Sequence, residues 1–250
     1  MKNILVIAPH PDDEIVGLGI TIKKFLKKRN NIVIFFPTNG VIAMNQMWFW
    51  TRHNYIKNLS ERINEMKSSL KQLGIENFFL QDIPTRTLKD HIKETYLKIS
   101  NLIKKNKIDT IFCPAYEGGH QDHDVTNFIC SKFKKKLMVF EFAEYNYFKR
   151  KINTNEFVDK TTSETNLILN ENERLEKQEL LNIYNSEKKN LSFLSILKES
   201  YRELIDYNYA LPPHPGTVFY RRFSYFSWHP RVDSDNPNVI CEVLTKYKNL

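Results

Sequence analysis

Ile7-Ala8-Pro9-His10-Pro11-Asp12-Asp13-Glu14 decides how this chain of 250 residues folds and where its chemistry sits. An apolar run, Ile4-Leu5-Val6-Ile7, leads into it, and Ile15-Val16-Gly17-Leu18-Gly19-Ile20 leads out towards a lysine-rich segment. The run before it reads as a strand buried on both faces, and the spacing after it as an amphipathic helix over residues 14–28. One histidine and three carboxylates thus fall within five residues at a strand-to-helix junction. Side chains at such a junction converge on one point, so the stretch reads as one half of a metal site. The plainer alternative is a helix cap, because an Asp at a helix N-terminus accepts backbone N–H bonds and suits the dipole.

The same strand-and-helix alternation repeats downstream. Residues 31–36 make a second apolar strand that stops at Pro37-Thr38-Asn39-Gly40, a turn signal. A helix is expected over 60–73, closed by Gly74, then a short strand over 77–80 and a helix over 88–105. Residues 108–113 form a fourth strand, stopped by Pro114; a helix over 124–133 and a fifth strand over 137–142 follow. Alternation of this kind predicts an α/β fold with a mainly parallel sheet and helices on both faces. Ligands of such sheets gather beyond the C-terminal ends of the strands. The loop after the fourth strand, Ala115-Tyr116-Glu117-Gly118-Gly119-His120-Gln121-Asp122-His123-Asp124, is the second dense polar cluster and lies at that end.

From about residue 150 the pattern changes. Residues 151–169 are polar with strand-like pieces, helices are expected over 171–185 and 192–207, and 209–228 is rich in Pro, His and aromatic residues. The expected organisation is a core over 1–150 and a C-terminal extension over 151–250 that completes or caps the same domain. The aromatic stretch Met44-Asn45-Gln46-Met47-Trp48-Phe49-Trp50 sits just past the second strand, where it either walls a ligand pocket or faces the core.

Lys and Arg number 37 against 29 Asp and Glu, a net charge of +8. That surplus suits anionic small molecules or acidic surfaces; nucleic-acid binding would rest on charge alone and is not expected. Cys113, Cys130 and Cys241 form no CxxC pair, which argues against a zinc ribbon or disulfide framework and fits a reducing compartment. The first apolar run is too short for a signal peptide, and no window approaches a transmembrane span. A cytoplasmic protein is expected, with oligomerisation left open.

The two polar clusters make most sense together. Hydrolytic zinc sites take three His or carboxylate ligands and keep a position for water. The first cluster offers His10, Asp12 and Asp13, and the second His120, Asp122 and His123. Neighbouring Asp12 and Asp13 point differently, so one can ligate while the other serves as base. His120 and His123 can diverge in the same way, one to the metal and one to the substrate.

Ala8-Pro9-His10-Pro11-Asp12-Asp13-Glu14 paired with His120-Gln121-Asp122-His123 resembles the zinc-dependent LmbE/PIG-L family of N-deacetylases. The resemblance covers residues 1–150, and the segment ending Tyr184-Asn185-Ser186-Glu187 is similar to a later helix of the family. It implies a Rossmann-like sheet and a Zn2+ ion, or another divalent ion such as Fe2+, on His10, Asp13 and His123. It further implies Asp12 as general base, protonated His120 as the group that steadies the oxyanion, and Asp122 as the residue that orients His120. Arg62, with Glu65, and Asp82 match positions near the sugar. His214, in Pro212-Pro213-His214-Pro215-Gly216, is a further candidate substrate contact from the extension. Two departures stand out: Gly118 occupies the place of a tyrosine that some members carry, leaving Tyr116 as the nearest candidate, and Gln121 replaces the usual proline.

The expected activity is hydrolysis of the N-acetyl group of an amino sugar, with acetate and a free amine as products. The sugar would be anionic, carried on a nucleotide, phosphate or lipid. Rival readings are an amidase acting on another N-acyl conjugate, or a glycan- or nucleotide-binding protein with a relic metal site.

Overall fold

The computed structural model describes residues 1–161, 163–230 and 232–250. The first half alternates strand and helix: β1 (Asn3–Ile7), α1 (Asp13–Lys27), β2 (Asn31–Phe36), α2 (Tyr55–Leu73), β3 (Phe78–Leu80), α3 (Ile92–Asn106), β4 (Thr110–Pro114), α4 (Gln121–Ser131) and β5 (Met138–Phe142). The second half holds the short pair β6 (Tyr145–Asn146) and β7 (Asn153–Thr154), then β8 (Thr165–Ile168), α5 (Glu171–Ile183), α6 (Lys188–Leu191), β9 (Lys198–Glu203) and α7 (Pro237–Lys246).

One seven-stranded sheet runs in the order β3-β2-β1-β4-β5-β9-β8. Its first five strands are parallel, and β9 and β8 join antiparallel. The order reverses between β1 and β4, whose neighbouring C-terminal ends open the crevice where such sheets take ligands.

Alternate side chains of each strand enter opposite layers, which is why β1 and β2 read as unbroken apolar runs. Leu5, Ile7, Val33 and Phe35 pack with Ile99 of α3, Phe128 of α4 and Leu244 of α7. Ile4, Val6, Ile32 and Ile34 pack on the other face with Leu18 of α1, Leu70 of α2 and Leu181 of α5. Each such fully buried side chain stabilises the fold by about 1.5–3 kcal/mol. Gly17 of α1 lies against the Phe142 ring, and a Cβ there would come within 2.2 Å of it, so the helix reaches the sheet only with glycine. Gly74 closes α2 in the left-handed conformation, φ 81°.

Several elements differ from the sequence-based expectation. Residues 192–207 are not a helix; they contain β9, an inner strand paired with both β5 and β8. Two of its charged residues are buried in pairs, Glu199 with Lys177 at 2.9 Å and Arg202 with Glu141 at 2.7 Å. That hides a buried strand behind a polar sequence. The helix expected from 60 starts at Tyr55, and the one expected from 88 starts at Ile92 after a 3-10 turn over Leu88–Asp90. The aromatic stretch over residues 44–50 does not face the core: Phe49 is 74% exposed and Trp50 53%.

Candidate metal centre

The loops after β1 and β4 bring the two polar clusters into contact at the reversal of strand order. Asp13 is the first residue of α1, His120 is the N-cap of α4 and His123 lies in that helix's first turn. Three atoms face one another: His10 Nδ1 is 3.1 Å from Asp13 Oδ2, His123 Nε2 is 3.3 Å from the same oxygen, and the two nitrogens are 3.3 Å apart. A tetrahedral ion with bonds of about 2.0–2.1 Å sets its ligand atoms about 3.3–3.4 Å apart. Three lone pairs converging in a buried volume repel one another unless a cation or proton lies between them. The donor set therefore fits one divalent metal, held by His10, Asp13 and His123.

A second grouping, His10, His120 and Asp122, is also close enough to hold an ion. Hydrogen bonding argues against it. Asp122 Oδ2 lies 3.0 Å from His10 Nε2 and accepts from the Thr85 hydroxyl at 2.9 Å and the Arg86 N–H at 2.7 Å. A carboxylate can only accept, so the His10 proton sits on Nε2 and the Nδ1 lone pair is left facing Asp13 and His123. Asp122 is thus placed as the outer partner of a candidate metal-ligand histidine, an arrangement that fixes both tautomer and ring orientation. It is nearer to His10 than to His120, whose Nδ1 is 3.6 Å away. The resemblance implies that Asp122 orients His120; α4 places its carboxylate against His10 Nε2.

His120 is instead fixed by its own helix. Its Nδ1 accepts the Asp122 backbone N–H at 3.1 Å, which puts its proton on Nε2. Burial pushes its pKa well below the usual histidine range, against the pull of Asp122. Burial thus works against the protonated form that the family resemblance implies.

Asp12 has φ 137° and ψ −30°, a conformation rare outside glycine that costs of order 1–3 kcal/mol. Its N–H donates to Glu14 Oε2 at 2.9 Å, and Glu14 Oε1 accepts from the Ser69 hydroxyl at 2.8 Å and the Tyr184 hydroxyl at 2.6 Å. Arg62 donates to the Pro11 carbonyl at 3.1 Å and to Asp12 Oδ2 at 3.3 Å, and pairs with Glu187. Burial pushes the Asp12 carboxyl well above its ordinary range, partly offset by Arg62. Asp13 goes the other way: His123 and His10 overcome the burial penalty and hold it well below. Two adjacent carboxylates are thereby driven apart, the pattern of one proton-carrying group and one fixed anion.

The remaining candidates lie further out. Arg62 is 3% exposed and meets Asp12, so it sits behind the motif. Glu65 accepts from the Ser186 N–H at 2.8 Å and its hydroxyl at 2.6 Å. Asp82 accepts from Asn39 Nδ2 at 2.9 Å. His214 is buried, with Nδ1 3.0 Å from the Pro215 carbonyl and its ring against Phe148. Tyr116 is a core residue whose hydroxyl donates to the Leu211 carbonyl at 2.8 Å.

Sequence reading missed Glu144 and Tyr145, which follow β5, the strand beside β4. Glu144 Oε2 lies 3.5 Å from His123 Nδ1, and the Tyr145 ring stacks edge-on to His123. Burial and the Asp13 charge raise both acids well above their ordinary ranges. The available signal was a third strand ending at the same edge, followed by Glu and Tyr.

The fold and site define a doubly wound α/β protein with a candidate mononuclear metal centre at its switch point. A family profile for PIG-L, the GlcNAc-PI de-N-acetylases, matches residues 5–134, and the chain belongs to that family. Diacetylchitobiose deacetylase of Thermococcus kodakarensis is 29% identical over 133 residues, 52% of this chain and 48% of that protein. The chain thus spans about half the length of that curated relative. A teicoplanin-pathway deacetylase complex superposes with TM-score 0.65 at 13% identity, covering 82% of this chain and 98% of that one. N,N'-diacetylchitobiose deacetylase of Pyrococcus horikoshii superposes with TM-score 0.57 at 17% identity, covering 85% and 84%. Likenesses at such low identity establish the shared fold.

Proposed function

We propose that this protein is a metal-dependent N-deacetylase that hydrolyses the acetamide of an N-acetylated amino sugar to acetate and a free amine. The observation that carries the reading is the convergence of His10, Asp13 and His123 on one point beside the buried Asp12 carboxylate. The deacetylase activities of the named relatives agree with it.

A divalent ion bound by those three residues, Zn2+ or Fe2+, supplies Lewis acidity and makes a water more acidic. Asp12 accepts the proton of the attacking water; its raised pKa lets it hold that proton and release it later. The Nε2–H of His120 donates to the developing oxyanion, the stabilisation usually worth most in acyl transfer. The leaving nitrogen takes its proton from Asp12 in its acid form or from His120 in its protonated form. Asp122 keeps His10 in the ligating tautomer, and Arg62 holds Asp12 in place. Asp82 and His214 are retained as candidate substrate contacts at the periphery. The surplus of positive charge supports a substrate bearing a phosphate, nucleotide or lipid-linked group.

Acetate release from N-acetylated sugars, free, phosphorylated and nucleotide-linked, tests the proposal on metal-loaded protein. Asp12→Asn should keep its metal and lose about 10²–10⁴-fold in turnover. Absence of acetate from every sugar, or near-normal turnover in Asp12→Asn, refutes it.

A further inference from the structure

Two stretches border the metal centre and share an unusual composition. Residues 41–58 follow β2, and residues 209–230 come from the C-terminal part of the chain. Neither contains an Asp or Glu, although 29 of the chain's 250 residues are acidic. Both carry cations: Arg52 and Lys57 in the first, Arg221 and Arg222 in the second. Each is tied to the frame of the site. Ile42 bridges to Thr85, whose hydroxyl donates to Asp122, and the Phe219 N–H donates to the Gly118 carbonyl at 2.8 Å. The stretches also meet each other, with the Trp48 ring 6.2 Å from that of Trp228.

Six of their rings are turned to solvent. Tyr225 is 94% exposed, Phe49 74% and Trp228 68%, and Trp50, Phe223 and Phe226 are each more than half exposed. Exposed rings gathered this densely mark an interaction surface, since apolar residues scattered singly are the norm. A sugar-binding platform would pair such rings with carboxylates that accept from hydroxyls, and these stretches have none. Aromatic side chains mixed with Arg and Lys, and free of acids, suit a lipid–water interface. Trp and Tyr settle at the headgroup level there, and cations meet anionic headgroups.

We infer that this rim seats the protein, metal centre inward, on an anionic membrane surface. The attachment is peripheral: among the described residues no helix is long and apolar enough to cross a membrane. Docking stands apart from the chemistry of the site. Its consequence, that the acetamido sugar is met at the headgroup layer, rests on the deacetylase reading.

Co-sedimentation of the full chain with vesicles tests the inference. Partition onto phosphatidylcholine vesicles containing phosphatidylglycerol should exceed that onto phosphatidylcholine alone by about tenfold or more, and should fall as salt is raised. Phe49→Ser/Tyr225→Ser/Trp228→Ser should lower partition by about tenfold with unchanged circular dichroism, because these side chains are solvent-exposed. Arg52→Gln/Lys57→Gln should shrink the preference for anionic vesicles. Asp12→Asn should bind as the wild type does, which separates docking from catalysis. Equal sedimentation with neutral and anionic vesicles at low salt overturns the inference. So does a dimer in gel filtration that the triple variant abolishes while vesicles capture neither protein.

Discussion

Arg62 offers the sharpest test of how the site is held. Its guanidinium is 3% exposed and lies between the Pro11 carbonyl, the Asp12 carboxylate and Glu187. Arg62→Gln keeps a polar side chain but removes the cation from between two carboxylates. Removing one partner from a buried ion pair costs about 3–5 kcal/mol, so the variant should melt well below the wild type. The second effect falls on Asp12. Burial pushes that carboxyl up and Arg62 pulls it down, so losing the arginine should raise its pKa further. A bound metal ion acts on both proteins alike and leaves the sign of the difference unchanged.

As a base, Asp12 works deprotonated, so the acid limb of the kcat/KM profile should move to higher pH. The assay is acetate release against pH for wild type, Arg62→Gln and Arg62→Lys, at a temperature where all three are folded. Arg62→Lys keeps the charge and should move the limb less. An unmoved limb in metal-replete, folded Arg62→Gln would refute the link between Arg62 and Asp12. If KM rose while the limb stayed, Arg62 would be a substrate contact.

Three further outcomes follow from the same geometry. Burial lifts the Glu14 carboxyl to about 6, against the hydrogen bonds from Tyr184 and Ser69. The folded protein therefore binds that proton more tightly than the unfolded chain, and the stabilisation is full below the ordinary glutamate pKa and lost as pH rises through about 6. Glu14→Gln should remove this slope, about 2 kcal/mol between the two limits, from urea unfolding measured across that window; an unchanged slope refutes the assignment. In Gly119→Ala the new Cβ would sit 2.4 Å from the Tyr145 carbonyl oxygen, a backbone atom that cannot swing away. A stability loss of about 1–3 kcal/mol and reduced turnover through a displaced His120 are expected, and a variant with wild-type melting and rate contradicts the packing. Metal at a hundredfold excess over its dissociation constant should stabilise the wild type by about 2.7 kcal/mol, read as a chelator-reversible rise in Tm. His123→Ala should abolish the rise; an equal rise in that variant would move the metal elsewhere.

Much of this molecule was legible because the relevant residues are contiguous. β1, β2 and β4 are buried on both faces, so Ile4-Leu5-Val6-Ile7 and its counterparts needed no alternation to be read. The metal and base candidates lie in two short clusters that each follow a strand, and the order of the parallel strands brings them together. The second half was opaque because its charges are inside. Glu199 accepts from the backbone N–H groups of Ile20 and Thr21 in α1, and Lys177 donates to the Val16 carbonyl. Hydrophobic patterning cannot register a strand that buries glutamate on one face and arginine on the other. Glu144 and Tyr145 were missed for a related reason: each joins the site through sheet topology, with no local motif.

The same accounting explains why a segment remote from the chemistry bears on it. Asp12 is the proposed base, and its backbone conformation is one that non-glycine residues avoid. Strain of about 1–3 kcal/mol persists only where the surroundings fix the chain more strongly than that. The fixing groups are Glu14, which accepts the Asp12 N–H, and Arg62, which holds the Pro11 carbonyl. Both are in turn held by residues at and beyond the end of α5: Tyr184 donates to Glu14, Glu187 pairs with Arg62, and Ser186 caps Glu65 one turn along α2. The C-terminal half is therefore no appendage to a self-sufficient catalytic core. It holds the turn in which Asp12 faces the metal ligands, and a chain ending after β5 would lose the geometry of its base while keeping every proposed ligand.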